Sequence, residues 1–186
     1  MLTHRFDDAL AHASALHRSQ TRKGSGTPYI AHLMSVSALV LEYGGDEDQA
    51  IAGLLHDAVE DQGGMATHAE ITRRYGPRVA FIVLECSDSD GEEKAAWQTR
   101  KDAYIAGVAT KSDDAVLVTA CDKLHNATSI LHDLTNLGDA LWSRFTAGRT
   151  GTLWYYRALS DALSMRLPGP LTDRLSRTIS AIEAQA

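Results

Sequence analysis

Apolar residues recur along this chain at helical spacing, and no segment alternates apolar and polar residues as a half-buried strand does. The spacing predicts ten helices, which cover residues 4–19, 30–43, 46–61, 67–75, 77–87, 93–110, 113–132, 137–145, 149–166 and 170–184. Gly44-Gly45-Asp46 and Gly76-Pro77 each predict the end of one helix and the start of the next. No repeat or long linker divides the sequence. We therefore predict an all-α fold and one domain over residues 1–186.

Two of these helices place ligand-type side chains where solvent-facing helices do not. In the predicted helix 30–43, His32 lies at the edge of a broad apolar face. In the predicted helix 46–61, Asp57 and Asp61 fall within or beside the apolar stripe. A carboxylate that points toward a core is expensive unless it meets a cation, a donor or a metal ion. These positions therefore indicate a site.

The predicted helix 113–132 adds a third polar surface. Its core stripe is opposed by Asp122, Asn126 and Ser129, with His125 nearby. A solvated face normally carries Lys, Glu and Arg, whereas these short hydrogen-bonding side chains are typical of a cavity wall.

Together the three helices offer two imidazoles and two carboxylates as metal ligands: His32, His56, Asp57 and Asp122. This donor set suits Mn²⁺, Fe²⁺, Co²⁺ or Zn²⁺ better than a thiolate-preferring ion. A His-Asp dipeptide is common by chance, and this chain has two, at residues 56–57 and 132–133. The prediction therefore depends on the apolar helix around the dipeptide at 56–57. The alternative is that the histidines are hydrogen-bonded core residues.

Composition limits the class of protein. The 186 residues include 18 Lys+Arg and 24 Asp+Glu, a net charge of −6, with 44% hydrophobic residues. The acidic balance argues against a nucleic-acid partner, and no apolar stretch is long enough for a membrane span. Cys86 and Cys121 form no disulfide framework, and the N-terminus has no signal-peptide pattern. We expect a cytoplasmic protein, and the sequence leaves a homo-oligomer open.

Three segments, taken together, resemble the RelA/SpoT-type alarmone hydrolases of the HD superfamily. They are RKGSGTPYIAH at residues 22–32, LLHDAVED at residues 54–61 and DKLHN at residues 122–126. The order and spacing fit, and the similarity runs from about residue 5 to 165. With no synthetase domain in the sequence, the chain resembles a stand-alone small alarmone hydrolase.

This resemblance implies an HD-superfamily bundle of about ten helices with a Mn²⁺ site formed by the four ligands named above. It implies that Glu60 and Asp61 activate and position the attacking water. The expected reaction removes the 3′-pyrophosphate from (p)ppGpp or (p)ppApp. A carboxylate pair at a helix C-terminus opposes the helix dipole, which favours a functional over a purely surface role for these two residues.

Substrate contacts are expected from the loop before residue 30 and from two helix faces. Arg22 and Lys23 lie in a Gly-rich loop, where they suit phosphate or base contacts. Ser35 and Asn126 suit ribose or phosphate, and Ser129 suits the base. The alternatives are a solvated loop and helix-surface packing.

Two further groups carry weaker signals. The first combines basic and aromatic residues at Lys94, Trp97, Arg100 and Lys101. It suits distal phosphates, although a salt-bridged amphipathic face is the favoured interpretation. The second group is the three consecutive aromatic residues at 154–156. We expect Trp154 in the core, whereas Tyr155 or Tyr156 suits closure of a nucleotide pocket.

Two other functions remain as alternatives. One is an HD-type phosphohydrolase of another nucleotide such as NADPH. The other is a catalytically silent HD domain that binds a nucleotide and signals through a partner. The carboxylates at positions 60 and 61 argue against silence, because a binding module needs no water-activating pair.

Overall fold

The fold was examined in a computed structural model that describes residues 1–87 and 96–186. The α-helices of these residues are α1 (His4–Leu16), α2 (Ile30–Glu42), α3 (Glu47–Leu55), α4 (Ala58–Asp61), α5 (Gly64–Tyr75), α6 (Pro77–Cys86), α7 (Trp97–Gly107), α8 (Asp113–Leu137), α9 (Gly148–Arg166) and α10 (Pro170–Gln185), with a 3₁₀-helix at Gly138–Arg144. No strand occurs within these two ranges, and the all-α prediction is confirmed. Lys94 and most of the polar connector at 87–91 lie outside the described residues.

Local sequence signals explain where several helices begin. The Asp46 side chain accepts a hydrogen bond from the backbone N–H of Gln49, and the Gln49 side chain accepts one from the backbone N–H of Asp46, which is a capping box at the start of α3. The Ser112 hydroxyl caps α8 by accepting a hydrogen bond from the backbone N–H of Ala115. Gly76, at a φ of 93°, ends α5, and Pro77 begins α6. These boundaries agree with the sequence prediction.

The prediction of one continuous helix over residues 46–61 was wrong. The helix breaks at His56 and Asp57, where Asp57 has a ψ of −3° instead of the usual helical value of about −42°. Neighbouring side chains on a regular helix point about 100° apart. The break allows both side chains to reach the same point, with His56 Nε2 only 3.1 Å from Asp57 Oδ2.

The other differences are at helix ends. Helix α8 continues to Leu137, five residues beyond the predicted end, and Gly138 ends it with a φ of 55°. The segment predicted as a helix over 137–145 is the 3₁₀-helix. Helix α5 begins at Gly64 rather than at residue 67.

Helix α8 is the central element of the packing. Helices α2, α3, α6, α9 and α10 all contact it. Its apolar residues, including Val116, Ala120, Cys121 and Leu124, are almost completely buried in the core. Because α2 and α3 pack on each other and on α8, their polar edges meet at one place. Within the described ranges, no helix is both long and apolar enough to span a membrane.

The loop between α1 and α2 is held in a defined shape. The backbone N–H of Arg22 donates to the carbonyl of Thr27 at 2.8 Å, and that of Tyr29 donates to Gln20 at 3.0 Å. An isolated β-bridge joins Thr21 to Pro28. These bonds fix the loop close to the start of α2.

Candidate metal centre and cavity

The four predicted ligands lie together. His32 Nε2 is 3.6 Å from Asp57 Oδ2 and 3.3 Å from Asp122 Oδ1. His56 Nε2 is 3.1 Å from Asp57 Oδ2 and 3.6 Å from Asp122 Oδ1. Donor atoms of His32, His56 and Asp57 all fall within 4.8 Å of one another. Residues from α2, from the α3–α4 break and from α8 therefore converge on one point.

Hydrogen bonds orient both imidazoles toward that point. His56 Nδ1 lies 2.9 Å from the carbonyl of Gly53, which only accepts, so Nδ1 carries a proton and Nε2 is the nitrogen turned toward the cluster. His32 Nδ1 lies 2.8 Å from Nδ1 of His125. In each ring the other nitrogen faces the cluster, which is the usual arrangement of histidine ligands.

Both carboxylates are held by further side chains. The Tyr29 hydroxyl donates to Asp57 Oδ2 at 2.6 Å. The Asn126 amide donates to Asp122 Oδ1 at 2.5 Å, and the Lys123 ammonium lies 2.7 Å from Asp122 Oδ2. The carboxylates therefore have fixed orientations before any ligand binds.

The charges of the cluster stabilise one another. Burial acts to raise the pKa of Asp57, but the neighbouring His56 outweighs it and holds that pKa well below the usual range. Burial likewise acts to raise the pKa of Asp122, but Lys123 first and the two histidines with it hold that pKa well below the usual range. Both acids are therefore ionised, as carboxylate ligands must be.

The cluster fits a divalent ion. His56 Nε2 is buried and has no hydrogen-bond partner among the described residues, although a carboxylate oxygen lies 3.1 Å away. A buried polar nitrogen without a hydrogen-bond partner is costly, and a metal ion at this point would satisfy it. Two donors that each lie about 2.1 Å from one ion are about 3.0–3.4 Å apart. The observed separations of 3.1–3.6 Å are close to this range.

The two predicted water-activating residues lie on the short helix α4, directly after Asp57. Glu60 is partly buried, and Asp61 is exposed and accepts a hydrogen bond from the Gln20 amide at 2.8 Å. The prediction that Asp61 falls within or beside the apolar stripe of one long helix was wrong, because the helix breaks before α4 and Asp61 is exposed. The Asp61 carboxylate also helps to raise the pKa of Tyr29, after burial and Asp57, and the Tyr29 hydroxyl donates to Asp57.

A cavity of about 940 Å³ adjoins the cluster at His32. This volume is at the upper end of the range for small-molecule sites. All five predicted substrate contacts line it: Arg22, Lys23, Ser35, Asn126 and Ser129. Arg22 donates to the Asn126 side chain at 2.8 Å, whereas the hydroxyls of Ser35 and Ser129 donate to backbone carbonyls of their own helices.

Aromatic and basic residues also line the cavity. Trp97, Lys101, Tyr155 and Tyr156 line it together with Arg144. The two tyrosines are where a closing role was predicted. The expectation that Trp154 is a core residue was wrong: it is 38% exposed, and Tyr155 is buried instead.

Sequence reasoning missed the residues that hold the ligands. Tyr29, Lys123 and His125 each contact one of the four ligands, and none was assigned that role. The available signal was their position, since each lies within one to three residues of a ligand in the sequence.

Comparison with known proteins places the chain among relatives. The HD domain family model matches residues 9–153. A guanosine-3′,5′-bis(diphosphate) 3′-pyrophosphohydrolase of Drosophila melanogaster, MESH1, is 36% identical over 125 residues, which are 66% of this chain and 67% of that protein. The Xenopus tropicalis protein of the same name is 35% identical over 139 residues, 73% of each chain.

A solved structure has the same fold. It is that of a metazoan ortholog of SpoT described as hydrolysing ppGpp, with 29% identity and a TM-score of 0.78 over 100% of this chain and 97% of that one. The extent of the family match and the identity to the two relatives show that this chain belongs to the HD-domain family, in which it is one of the metal-dependent hydrolases.

Proposed function

We propose that this protein is a Mn²⁺-dependent hydrolase that removes the 3′-pyrophosphate from alarmone nucleotides, (p)ppGpp or (p)ppApp. The observation that carries the proposal is the cluster of two histidines and two carboxylates beside a cavity of about 940 Å³, which His32 lines. The names of the relatives support the substrate class. We assign the metal to His32, His56, Asp57 and Asp122.

When bound, a divalent ion supplies a more acidic water and polarises a phosphoryl oxygen. Glu60, three residues after Asp57, takes the proton of the attacking water as general base. Gln20 holds the Asp61 carboxylate, which orients that water. Water adds to the phosphorus attached to the 3′-oxygen, the bond between these two atoms breaks, and the 3′-oxygen gains a proton as pyrophosphate leaves.

The cavity residues bind the rest of the nucleotide. Arg22 and Lys23 place positive charge beside phosphate groups, and Arg22 is already oriented by Asn126. Ser35 and Asn126 contact ribose or phosphate, and Ser129 contacts the base. Local cations thus bind an anionic substrate although the whole chain has a net charge of −6.

The test is pyrophosphate release by the purified Mn²⁺-loaded protein. Guanosine 3′,5′-bis(diphosphate), its adenosine counterpart and NADPH are compared side by side, with and without a chelator. We expect release from at least one of the two alarmones and none after chelation. If both alarmones stay intact, the proposed function is wrong, and phosphate release from NADPH alone would favour the alternative hydrolase.

Two variants separate metal binding from chemistry. Asp122→Ala should lose the bound ion, whereas Glu60→Gln should keep it and lose turnover by about 10²–10⁴-fold. Asp161→Ala and Glu42→Gln, which change exposed acids on α9 and α2, are the matched controls. Unchanged metal content in Asp122→Ala, or near-normal turnover in Glu60→Gln, would refute the corresponding assignment.

We also propose that residues 1–186 act as one domain and that the protein works in the cytoplasm. One hydrophobic core draws on both described ranges, and Cys86 and Cys121 are free thiols, which supports these two proposals.

A further inference from the structure

His125 makes an unusual contact with a metal ligand. Its Nδ1 lies 2.8 Å from Nδ1 of His32, with the ring centroids 4.9 Å apart. A hydrogen bond between two imidazole nitrogens needs one N–H and one bare nitrogen. Once the protonated nitrogen of one ring is known, the contact therefore determines the protonated nitrogen of the other ring.

The metal site makes that assignment. His32 Nε2 faces Asp122 Oδ1 at 3.3 Å and Asp57 Oδ2 at 3.6 Å, so it is the ligating nitrogen. A ligating nitrogen carries no proton, and the proton of His32 is then on Nδ1. The Nδ1 of His125 must therefore be unprotonated, so that it can accept the hydrogen bond from the Nδ1–H of His32. A neutral His125 then carries its own proton on Nε2.

The Nε2–H of His125 has no hydrogen-bond partner among the residues of the two described ranges. The ring is half-buried and lines the cavity together with His32, so its remaining donor is open to a molecule bound in the cavity. A donor in the cavity wall suits an acceptor oxygen of a bound nucleotide.

We propose that His125 has two roles, one for each ring nitrogen. Through Nδ1 it is a positioning residue that holds His32 in the orientation and tautomer that ligate the ion. Through Nε2–H it donates a hydrogen bond to a substrate oxygen in the cavity. This inference rests on the proposed function, since it takes the ion and a nucleotide substrate from it.

Two amide substitutions separate the roles. In His125→Asn the side-chain amide lies where Nδ1 lay, so its oxygen can accept from His32, but nothing reaches the position of Nε2. In His125→Gln the amide extends to the position of Nε2 and leaves the position of Nδ1 without an acceptor. His125→Phe keeps the ring shape and removes both functions.

Metal affinity is measured by calorimetric titration of the metal-free protein with Mn²⁺, and steady-state kinetics give KM and kcat. We expect His125→Asn to keep metal affinity within about threefold and to raise KM about tenfold or more. We expect His125→Gln to lose about 10–100-fold in metal affinity and to keep KM near the wild-type value at saturating Mn²⁺. His125→Phe should show both losses.

Two outcomes would overturn the proposal. If His125→Gln binds Mn²⁺ as tightly as the wild type, His125 does not position His32. If His125→Asn has an unchanged KM, Nε2–H does not bind the substrate. Circular dichroism and thermal unfolding of all three variants show whether each is folded, and the matched amide pair keeps the comparison valid if the phenylalanine variant is not.

The tautomers provide a readout that needs no substrate. Nitrogen-15 NMR of histidine-labelled protein loaded with diamagnetic Zn²⁺ should show the proton of His32 on Nδ1 and that of His125 on Nε2. A proton on Nδ1 of His125 would overturn this inference while leaving alarmone hydrolysis standing. Conversely, the expected tautomers in a protein that leaves alarmones intact would refute the proposed substrate and retain the positioning role.

Discussion

At the residue scale, the site is built from pairs in which a neighbour fixes each metal-ligating side chain. The pairs are His56 with the Gly53 carbonyl, His32 with His125, Asp57 with Tyr29, and Asp122 with Lys123. Such partners fix the tautomer or the orientation of a ligand, and their loss typically reduces metal affinity 10–100-fold. Substitution of the partner, rather than of the ligand, therefore tests the geometry of the site.

Tyr29→Phe removes the hydrogen bond to Asp57 Oδ2 and keeps the aromatic ring. We expect metal affinity to fall about tenfold because the carboxylate is no longer held, as measured by calorimetric titration with Mn²⁺. The control is Tyr43→Phe, because among the described residues the Tyr43 hydroxyl has a hydrogen bond only from Arg174, at 3.5 Å. Equal affinity in the two variants would show that Tyr29 does not orient the ligand.

At the element scale, the site depends on the close approach of α2 and α3. A Cβ at Gly53 would lie 3.1 Å from the Cα and 3.3 Å from the backbone nitrogen of Ser37. The absence of a side chain lets α3 bring His56 beside His32, whose ring centroids are 5.1 Å apart. Glycine is thus required here by helix packing rather than by backbone conformation.

Gly53→Val should destabilise the protein by about 1–3 kcal/mol, since the added atoms meet a helix backbone that has no room to move. Urea unfolding measures the change. Gly107→Val is the matched control, because a Cβ there has no described neighbour within 4 Å, and it should change stability by less than about 0.5 kcal/mol. Equal effects at both sites would show that the approach of α2 and α3 is not tight.

The capping box of α3 gives a pH-dependent prediction. Burial acts to raise the pKa of Asp46, but the backbone N–H of Gln49 and the Arg78 guanidinium outweigh it, and the pKa is lowered. A lowered pKa contributes stability above the unfolded-state value of about 3.9, and that contribution is lost as the pH falls through the lowered pKa.

Asp46→Ala should therefore reduce the free energy of unfolding by about 1 kcal/mol at pH 7. The difference from the wild type should shrink below about pH 4, as the wild-type carboxylate becomes protonated. Urea unfolding at pH 7, 5 and 3 checks this, with Asp161→Ala as the control for removal of an exposed acid. A difference that stays constant down to pH 3 would contradict the role of the charge.

At the scale of the whole molecule, one ion ties together helices from distant parts of the chain. Its proposed ligands come from α2, from the break between α3 and α4, and from α8. Helices α2, α3 and α8 all contact one another in the core. A ligand that binds only the folded state adds about 2.7 kcal/mol of stability at a concentration of 100 times its Kd. The ion is therefore expected to stabilise the fold as a whole.

Removal of the ion should lower the thermal midpoint by about 5–10 °C, given about 2–4 °C per kcal/mol for a chain of this size. Scanning calorimetry with saturating Mn²⁺ and then with excess chelator measures the shift. Asp122→Ala protein should show almost no shift under the same treatment. A midpoint that does not respond to chelation in the wild type would contradict binding of the ion at the proposed ligands.

The sequence by itself determined the helical class and most helix boundaries, because apolar periodicity, Asp46 and Gly76-Pro77 act through neighbours in the chain. It also indicated His32, His56, Asp57 and Asp122 as metal ligands, because a polar side chain on an otherwise apolar helix can be recognised from the sequence alone. Only the tertiary structure decided the break at His56 and Asp57, the exposure of Asp61 and Trp154, and the contact of His125 with His32. Each depends on how helices distant in sequence pack, and local spacing does not carry that information.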